Sequence, residues 1–318
     1  MVMTAIVSFC WLVNAPESRR ELNRLLVMGA SLNVVIVAHH TRPEVVPIIR
    51  EATQWLKKNG HNYWMPVGDG AALGLSELGA DRSAQDADLL ISLGGDGTIL
   101  RSVDLLGGAP VPILGVNMGT LGYLTEIEPE DLVACLERWI GRDDRSDMLL
   151  DERMMLAVQL VEKKTGQTRV WRALNEAVIE RQQSGHTVWL DVTINHEVFA
   201  RYSADGVIVA TPTGSTAYSM SARGPVVSPR HKAMLLTPVS PHMLFDRSLV
   251  LGPTEMLSMQ VVGTRPAELA IDGRHVASLE QGDVVSYEAD SCAAHFVRFT
   301  QQPKFHQIVR AKFGLGDE

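Results

Sequence analysis

Cysteine is scarce in this chain. There are three in 318 residues, Cys10, Cys135 and Cys292, odd in number and far apart. No Cys-x-x-Cys pair occurs, so neither a disulfide framework nor a zinc site is expected. A reducing compartment, the cytoplasm, is expected. Long runs of Lys and Arg are absent and the formal net charge is −8. Nucleic-acid binders lay a basic stripe along the backbone they track, so nucleic acid is not an expected partner. No apolar stretch approaches the ~20 residues that span a bilayer, and no membrane partner is expected. The apolar run at residues 4–13 lacks the basic residues that precede the apolar region of a signal peptide. Residues 1–31 are therefore expected to be an extension, with the first domain opening just after Met28. Also missing is G-x-x-x-x-G-K-[ST], which excludes a P-loop kinase.

What is present reads as about two domains, since ~150 residues per domain is typical. Hydrophobic residues make up 46% and charged residues 21%, an ordinary globular balance. From Leu32 the chain alternates. Leu32–Ala38 is strand-like, and Pro43 opens a helix in which Val46, Ile49, Thr53 and Leu56 recur at helical spacing before Gly60. Strands are expected at Tyr63–Val67, Leu89–Leu93 and Val111–Asn117, with helices over Ile99–Leu106 and up to Gly141. Strand and helix in alternation predict an α/β domain with a parallel sheet over residues 32–147. The pattern changes near residue 148. Residues 153–180 read as two strands joined at Lys163–Gly166, and residues 187–202 as a pair turning at Asn195 and His196. A β-rich, sandwich-like domain over 148–300 is expected. An amphipathic helix at Lys304–Phe313, within a final segment 301–318, is expected to pack back on the first domain.

Gly94, Gly95, Asp96, Gly97 and Thr98 follow an apolar strand and open a helix. Backbone N–H groups at such a junction point outward unpaired, and the helix dipole adds positive potential, which makes an anion site. Asp96 would repel phosphate unless a metal ion or a substrate hydroxyl lay between them, so it suggests chemistry. The other reading of Asp96 is a cap on the helix that follows. Two further stretches bear on the choice. Ser203–Pro225 runs a strand into small hydroxyl residues and Tyr218, an aromatic suited to a flat ring. Asn175 and Glu176 set an amide beside a carboxylate, suited to a ribose diol.

In this order, "GGDGT" at 94–98, "LNE" at 174–176 and "DGVIVATPTGSTAY" at 205–218 resemble the NAD kinase family, and "PILGVNMGTLGYLTEI" at 112–127 resembles a fourth family segment. The resemblance spans roughly residues 32–315. It implies a phosphofructokinase-like α/β domain followed by an NAD-binding β-sandwich-like domain, assembled as a homodimer or homotetramer. It implies NAD and ATP as ligands, with Mg²⁺ or another divalent cation carried by ATP and no protein metal ligand singled out. Asp96 corresponds to the general base, with Gly94, Gly95, Gly97, Thr98 and Asn117 at the nucleotide. Asn175 and Glu176 correspond to the pair that holds NAD, and Asp205 to a carboxylate at the dinucleotide. Thr213, Gly214, Ser215, Thr216, Ala217, Tyr218 and Ser221 fall in the segment lining the ring pockets. His186 falls where some members use a His on the substrate. Ser203 stands where some bacterial members carry Arg, and Arg274 stands where Gln is common at a substrate contact.

The implied reaction is attack of the adenosine ribose 2′-hydroxyl of NAD on the terminal phosphoryl of ATP, a loose transition state that needs mainly positioning and charge neutralisation. "GDGAALG" at 68–74 resembles a loosened dinucleotide fingerprint but has the wrong spacing and no ribose-binding acid about 20 residues on. His39 and His40 read as loop residues. A lipid kinase shares the Gly-Gly-Asp-Gly turn but would not need the Asn-Glu pair. A non-catalytic NAD-binding regulator would keep the pocket and lose Asp96.

Overall fold

The computed structural model of the chain describes residues 31–119, 122–141, 148–183, 185–299 and 304–315. The apolar run at 4–13, Cys10 and nearly all of the expected extension lie outside these residues. Among the described residues no helix is long and apolar enough to cross a membrane.

The first half builds β1 (Asn33–Ala38), α1 (Val45–Lys58), β2 (Asn62–Pro66), α2 (Val67–Ala72), β3 (Gly79–Ala80), β4 (Leu89–Gly94), α3 (Asp96–Leu106), β5 (Pro112–Asn117) and α4 (Leu132–Gly141). All strand pairings here are parallel, in the order β3-β2-β1-β4-β5. Every residue of β4 and β5 is buried, as expected of parallel strands covered on both faces. Val45, Ile49 and Leu56 of α1 and Leu132 and Leu136 of α4 pack on the face that carries Val34 and Ile36. Ile99, Val103 and Leu106 of α3 pack on the opposite face with Val35 and Val37. Gly107 ends α3 in the left-handed region, φ 56°, a conformation that costs glycine little.

The second half is β6 (Met148–Val161), β7 (Thr168–Ala173), β8 (Glu176–Arg181), β9 (Val188–Ile194), β10 (Glu197–Ala204), β11 (Gly206–Ala210), α5 (Tyr218–Ser221), β12 (Met234–Val239), β13 (Leu249–Leu251), β14 (Leu257–Val261), β15 (Ala267–Ile271), β16 (Arg274–Leu279), β17 (Val284–Phe299) and α6 (Phe305–Phe313). A six-stranded antiparallel sheet, β13-β12-β11-β8-β15-β16, stands against the larger sheet. Leu156, Val158, Leu190, Met259 and Tyr287 from the larger sheet meet Ile179, Val207, Val209, Leu236 and Leu269 from the smaller in one core.

The larger sheet is continuous across both halves. β17 pairs antiparallel with β14 at one end and parallel with β5 at the other, His295 beside Pro112 and Phe296 beside Ile113. A register shift between Ala289 and Ala293 lets one 16-residue strand serve both partners, since a bulge bends and twists its strand. The segment 153–180, expected as two strands, forms parts of three. The chain leaves β7 at Ala173, passes Leu174 and Asn175, and enters β8 in the other sheet. Only Leu174 and Asn175 mark that change of sheet, with no glycine or proline to signal it.

Candidate functional site

β1 has β2 on one side and β4 on the other, so the strand order reverses there. Open α/β sheets bind ligands beyond the carboxyl ends of their strands at such a switch point. Gly94 and Asn117 end β4 and β5 as register partners at this edge. The glycines of the turn divide by role. A Cβ on Gly94 would collide with the side chain of buried Thr98, so packing requires this glycine, whereas nothing lies within 4 Å of a Cβ on Gly95 or Gly97. Gly95 and Gly97 therefore face open space.

Helix α3 starts at Asp96, with Gly95 as its N-cap and no side-chain cap. The capping reading of Asp96 is thereby corrected. The half-buried carboxylate reaches across to the loop after β5, where Oδ2 accepts the Tyr123 N–H at 3.0 Å and Oδ1 the Leu124 N–H at 3.0 Å. A Cβ on Gly122 would run into that carboxylate, so the loop approaches this closely because residue 122 is glycine. Burial, and then the negative charge of Asp96, push the Tyr123 hydroxyl above its ordinary value. Asn117 donates through Nδ2 to the Gly119 carbonyl at 3.1 Å and to Glu128 Oε1 at 3.0 Å, which holds the other end of the loop. Further along α3, Arg101 pairs with buried Asp69, whose Oδ2 also accepts the Ala38 N–H at 3.2 Å. The Gly-Asp-Gly segment at 68–70 is thus a brace on β1, lying in α2.

The second half of the site lies where Leu174 and Asn175 change sheets. Asp272 accepts the N–H groups of Leu174, Asn175 and Glu176 at 2.8, 2.7 and 3.0 Å. Sequence reading passed over Asp272. Asp-Gly between apolar strands signals a hairpin turn, and nothing local reveals that its carboxylate grips a segment about a hundred residues away. The Asn175 carbonyl accepts the Thr211 N–H at 2.8 Å, Thr211 Oγ1 donates to the Leu174 carbonyl at 2.6 Å, and the Gly214 N–H donates to Thr211 Oγ1 at 3.1 Å. A Cβ on Gly214 would meet the Asn175 backbone, so glycine permits the contact. Ser215 is fully buried and bonds Pro212 and Val227, while Thr216 Oγ1 returns to the Thr213 carbonyl. Ala217 precedes α5, the short helix that runs from Tyr218 to Ser221.

Glu176 is buried at the start of β8, and its carboxyl is pushed up to about 7 by burial, then by the Asp272 charge, against a hydrogen bond from the Tyr218 N–H. Its Oε2 has no partner among the described residues. Tyr218 is 39% exposed. Burial, and then the charges of Glu180, Asp205 and Glu176, raise its hydroxyl against the opposing charge of Arg181.

Asp205 stands on the Tyr218 side of this segment, its charge acting on the Tyr218 hydroxyl, while His186 and Arg274 are not gathered with it. Asp205 precedes β11, and its carbonyl accepts the Arg181 N–H at the far end of β8 from Glu176. At ~3.3 Å per residue that is about 17 Å along the strand. His186 lies beyond Arg181, before β9. Arg274 forms an ion pair with Asp104 of α3 at 2.7 Å. Ser203, where some relatives carry arginine, donates to Thr187 Oγ1 at 3.3 Å, and the positive charge beside Asp205 comes from Arg181 at 3.1 Å.

Residues 34–144 match the ATP-NAD kinase N-terminal domain and residues 174–299 the ATP-NAD kinase C-terminal domain. Their succession defines a two-domain nucleotide kinase outside the P-loop class. The chain belongs to the NAD kinase family. Curated relatives include the NAD kinase of Heliobacterium modesticaldum, 37% identical over 89% of this chain and 99% of that protein, and the NAD kinase of Symbiobacterium thermophilum, 38% identical over 87% and 97%. Among solved structures, yeast NADH kinase complexed with NADH superposes with a TM-score of 0.80 at 26% identity, covering 91% of this chain and 89% of that one. An Archaeoglobus fulgidus NAD kinase in complex with ATP shares the fold, with a TM-score of 0.65 at 22% identity over 89% of this chain and 98% of that one.

Proposed function

We propose that the protein transfers the terminal phosphoryl group of ATP to the adenosine ribose 2′-hydroxyl of NAD, giving NADP and ADP. The observation that carries the reading is Asp96, a half-buried carboxylate fixed at a helix start on the sheet's switch point, in a chain matching both NAD kinase domains. Two backbone N–H groups hold its oxygens and leave each with further acceptor capacity. Asp96 orients the 2′-hydroxyl and takes its proton as the oxygen–phosphorus bond forms and the bond to ADP breaks. The N–H groups at the start of α3 face the phosphates. Asn175, Glu176 and the segment Thr213–Ser221 hold the dinucleotide, with Tyr218 against a ring.

Mg²⁺ enters with ATP in this reading. Among the described residues no three His, Cys, Asp or Glu side chains converge, and Mg²⁺ is commonly held by substrate phosphates with one or two carboxylates, a requirement Asp96 fits. When bound it neutralises charge on the polyphosphate. The protein is read as a cytoplasmic homodimer or homotetramer. Exposed Val198 and Phe199 on β10, with Phe245 edge-on to Phe199 at 5.9 Å, support the oligomer. The lipid-kinase and regulator readings find no support, since the second domain and whole-chain relatives are of NAD kinase type. The test is purified protein with Mg²⁺, ATP and NAD or NADH, assayed for NADP or NADPH and repeated with polyphosphate. Absence of product with every donor would overturn the reading.

A further inference from the structure

Behind the loop that Asp96 holds lies a cavity of about 750 Å³, bounded by the 123–128 loop, residues 228–230 and the start of α6. Arg153 of β6, Arg298 of β17, Arg230 and Lys304 line it, against Glu126, Glu128 and Asp151. The carboxylates are already engaged. Arg153 Nη2 meets Asp151 Oδ2 at 2.6 Å, Arg298 Nη1 meets Glu126 at 2.7 Å, and Glu128 accepts from the Asn117 amide. The cations are not all engaged. Arg298 Nη2 is sealed from solvent with no partner among the described residues, and Arg230 has no ion pair among them. Arg153, with a side chain 9% exposed, is held below its ordinary value by burial and by the charges of Arg298 and Arg230. Like charges crowded together in a cavity are costly unless an anion joins them.

We infer that this cavity binds a small phosphate ester at a site separate from the Asp96 pocket. Guanidinium forks match phosphate oxygens in pairs, and a phosphate ester complements the unpartnered Arg298 Nη2 and the excess of four cations over three carboxylates. Leu149, Phe299, Phe305 and Ile308 supply an apolar wall for the organic part of the ester, and the volume is that of small-molecule sites. The separation follows from the loop. The Tyr123 N–H faces Asp96 while the residue also lines the cavity, whereas Asp96, Asn175 and Glu176 do not line it, and Asn117, which does, spends its amide N–H groups on Gly119 and Glu128.

Calorimetric titration of phenyl phosphate into the full chain, saturated with NAD and a non-hydrolysable ATP analogue, tests this. Binding should persist under saturation. It should weaken about tenfold in Arg230→Ala, the loss expected of one charge-assisted contact, and weaken also in Lys304→Gln, both residues being exposed and outside the catalytic machinery. Absence of binding at millimolar ligand, displacement by the ATP analogue, or unchanged affinity in both variants would overturn the proposal. The readout is binding rather than turnover, so it stands apart from the phosphoryl-transfer reading.

Discussion

Two aspartates in this molecule do the same thing in different solvents. Asp272, in the turn between β15 and β16 at φ 47°, is half-buried as a residue but has an enclosed carboxyl, which collects three backbone N–H groups from residues 174–176. Asp96, at the start of α3, is half-buried and collects two, from Tyr123 and Leu124. Each pins a distant loop to a strand end. The Asp272 carboxyl is raised by burial against its three hydrogen bonds, which take up most of its acceptor capacity. Asp96 keeps capacity beside glycines that border open space. Residue type therefore does not separate a brace from a reacting group. What separates them is whether acceptor capacity remains after the backbone is satisfied, and whether a substrate can reach it.

The sharpest way to break this comparison is Asp96→Asn. An amide keeps the shape but turns N–H₂ toward one of the two backbone donors, leaving that donor unpaired at a cost of about 1 kcal/mol. If Asp96 also takes the 2′-hydroxyl proton, turnover should fall by roughly 10²–10⁴ at temperatures well below Tm. NAD binding, measured on the same variant, should change little. Turnover within about threefold of the parent, beside a stability loss alone, would make Asp96 a second Asp272.

Asp272→Ala tests the other side. Three N–H groups lose their acceptor together, and at 1–3 kcal/mol for each buried donor left unpaired the loss should be about 3 kcal/mol or more. Urea unfolding reads it directly. A loss under about 1 kcal/mol would mean that water replaces the carboxylate there and that Asp272 is no brace.

Glu176, between these two, gives stability a pH dependence. Its carboxyl is raised from 4.5 to about 7, so the folded state holds this proton more tightly than the unfolded chain does. The associated stability is fully present below about pH 4.5 and is lost as pH rises through 7. Its size is about 3 kcal/mol, at 1.36 kcal/mol for each unit of pKa difference. Glu176→Gln should remove that share of the slope. Parallel stability–pH curves for parent and variant would show that Glu176 carries no such shift.

Much of this was legible in the residues, and the division follows range in sequence. Gly94–Thr98 and Thr211–Ser221 could be placed because strand, glycine turn and helix start are neighbours in the chain, so their geometry is encoded locally. The parallel sheet was legible because β4 and β5 are mainly apolar runs between helix patterns. Illegible were the features made by distant pairs. These include Asp272 on residues 174–176, Asp69 on Arg101 and Ala38, and β17 bending to join β5 to the sandwich. The break between β7 and β8 was hidden for the same reason. No glycine or proline marks the break, and Asp272 and Thr211, both remote in sequence, hold the chain where it changes sheets.

The smallest expected effect sharpens the comparison from outside. Arg274 stands two residues past Asp272, yet it turns to Asp104 of α3, with side-chain exposures of 56% and 47% for the pair. Exposed ion pairs contribute about 0–1 kcal/mol, because solvent screens them and ordering two long side chains costs entropy. Arg274→Ala should therefore shift unfolding by under about 1 kcal/mol, and less in high salt. The informative reading is kinetic. If Arg274 stays on Asp104 during turnover, KM for NAD and kcat remain within about twofold of the parent, as expected when no substrate contact of ~1 kcal/mol or more is lost. A KM for NAD raised tenfold with kcat unchanged would mean that Arg274 leaves Asp104 for the dinucleotide. The turn that Asp272 braces would then carry a substrate contact as well, and the line between brace and binding residue would run inside one hairpin.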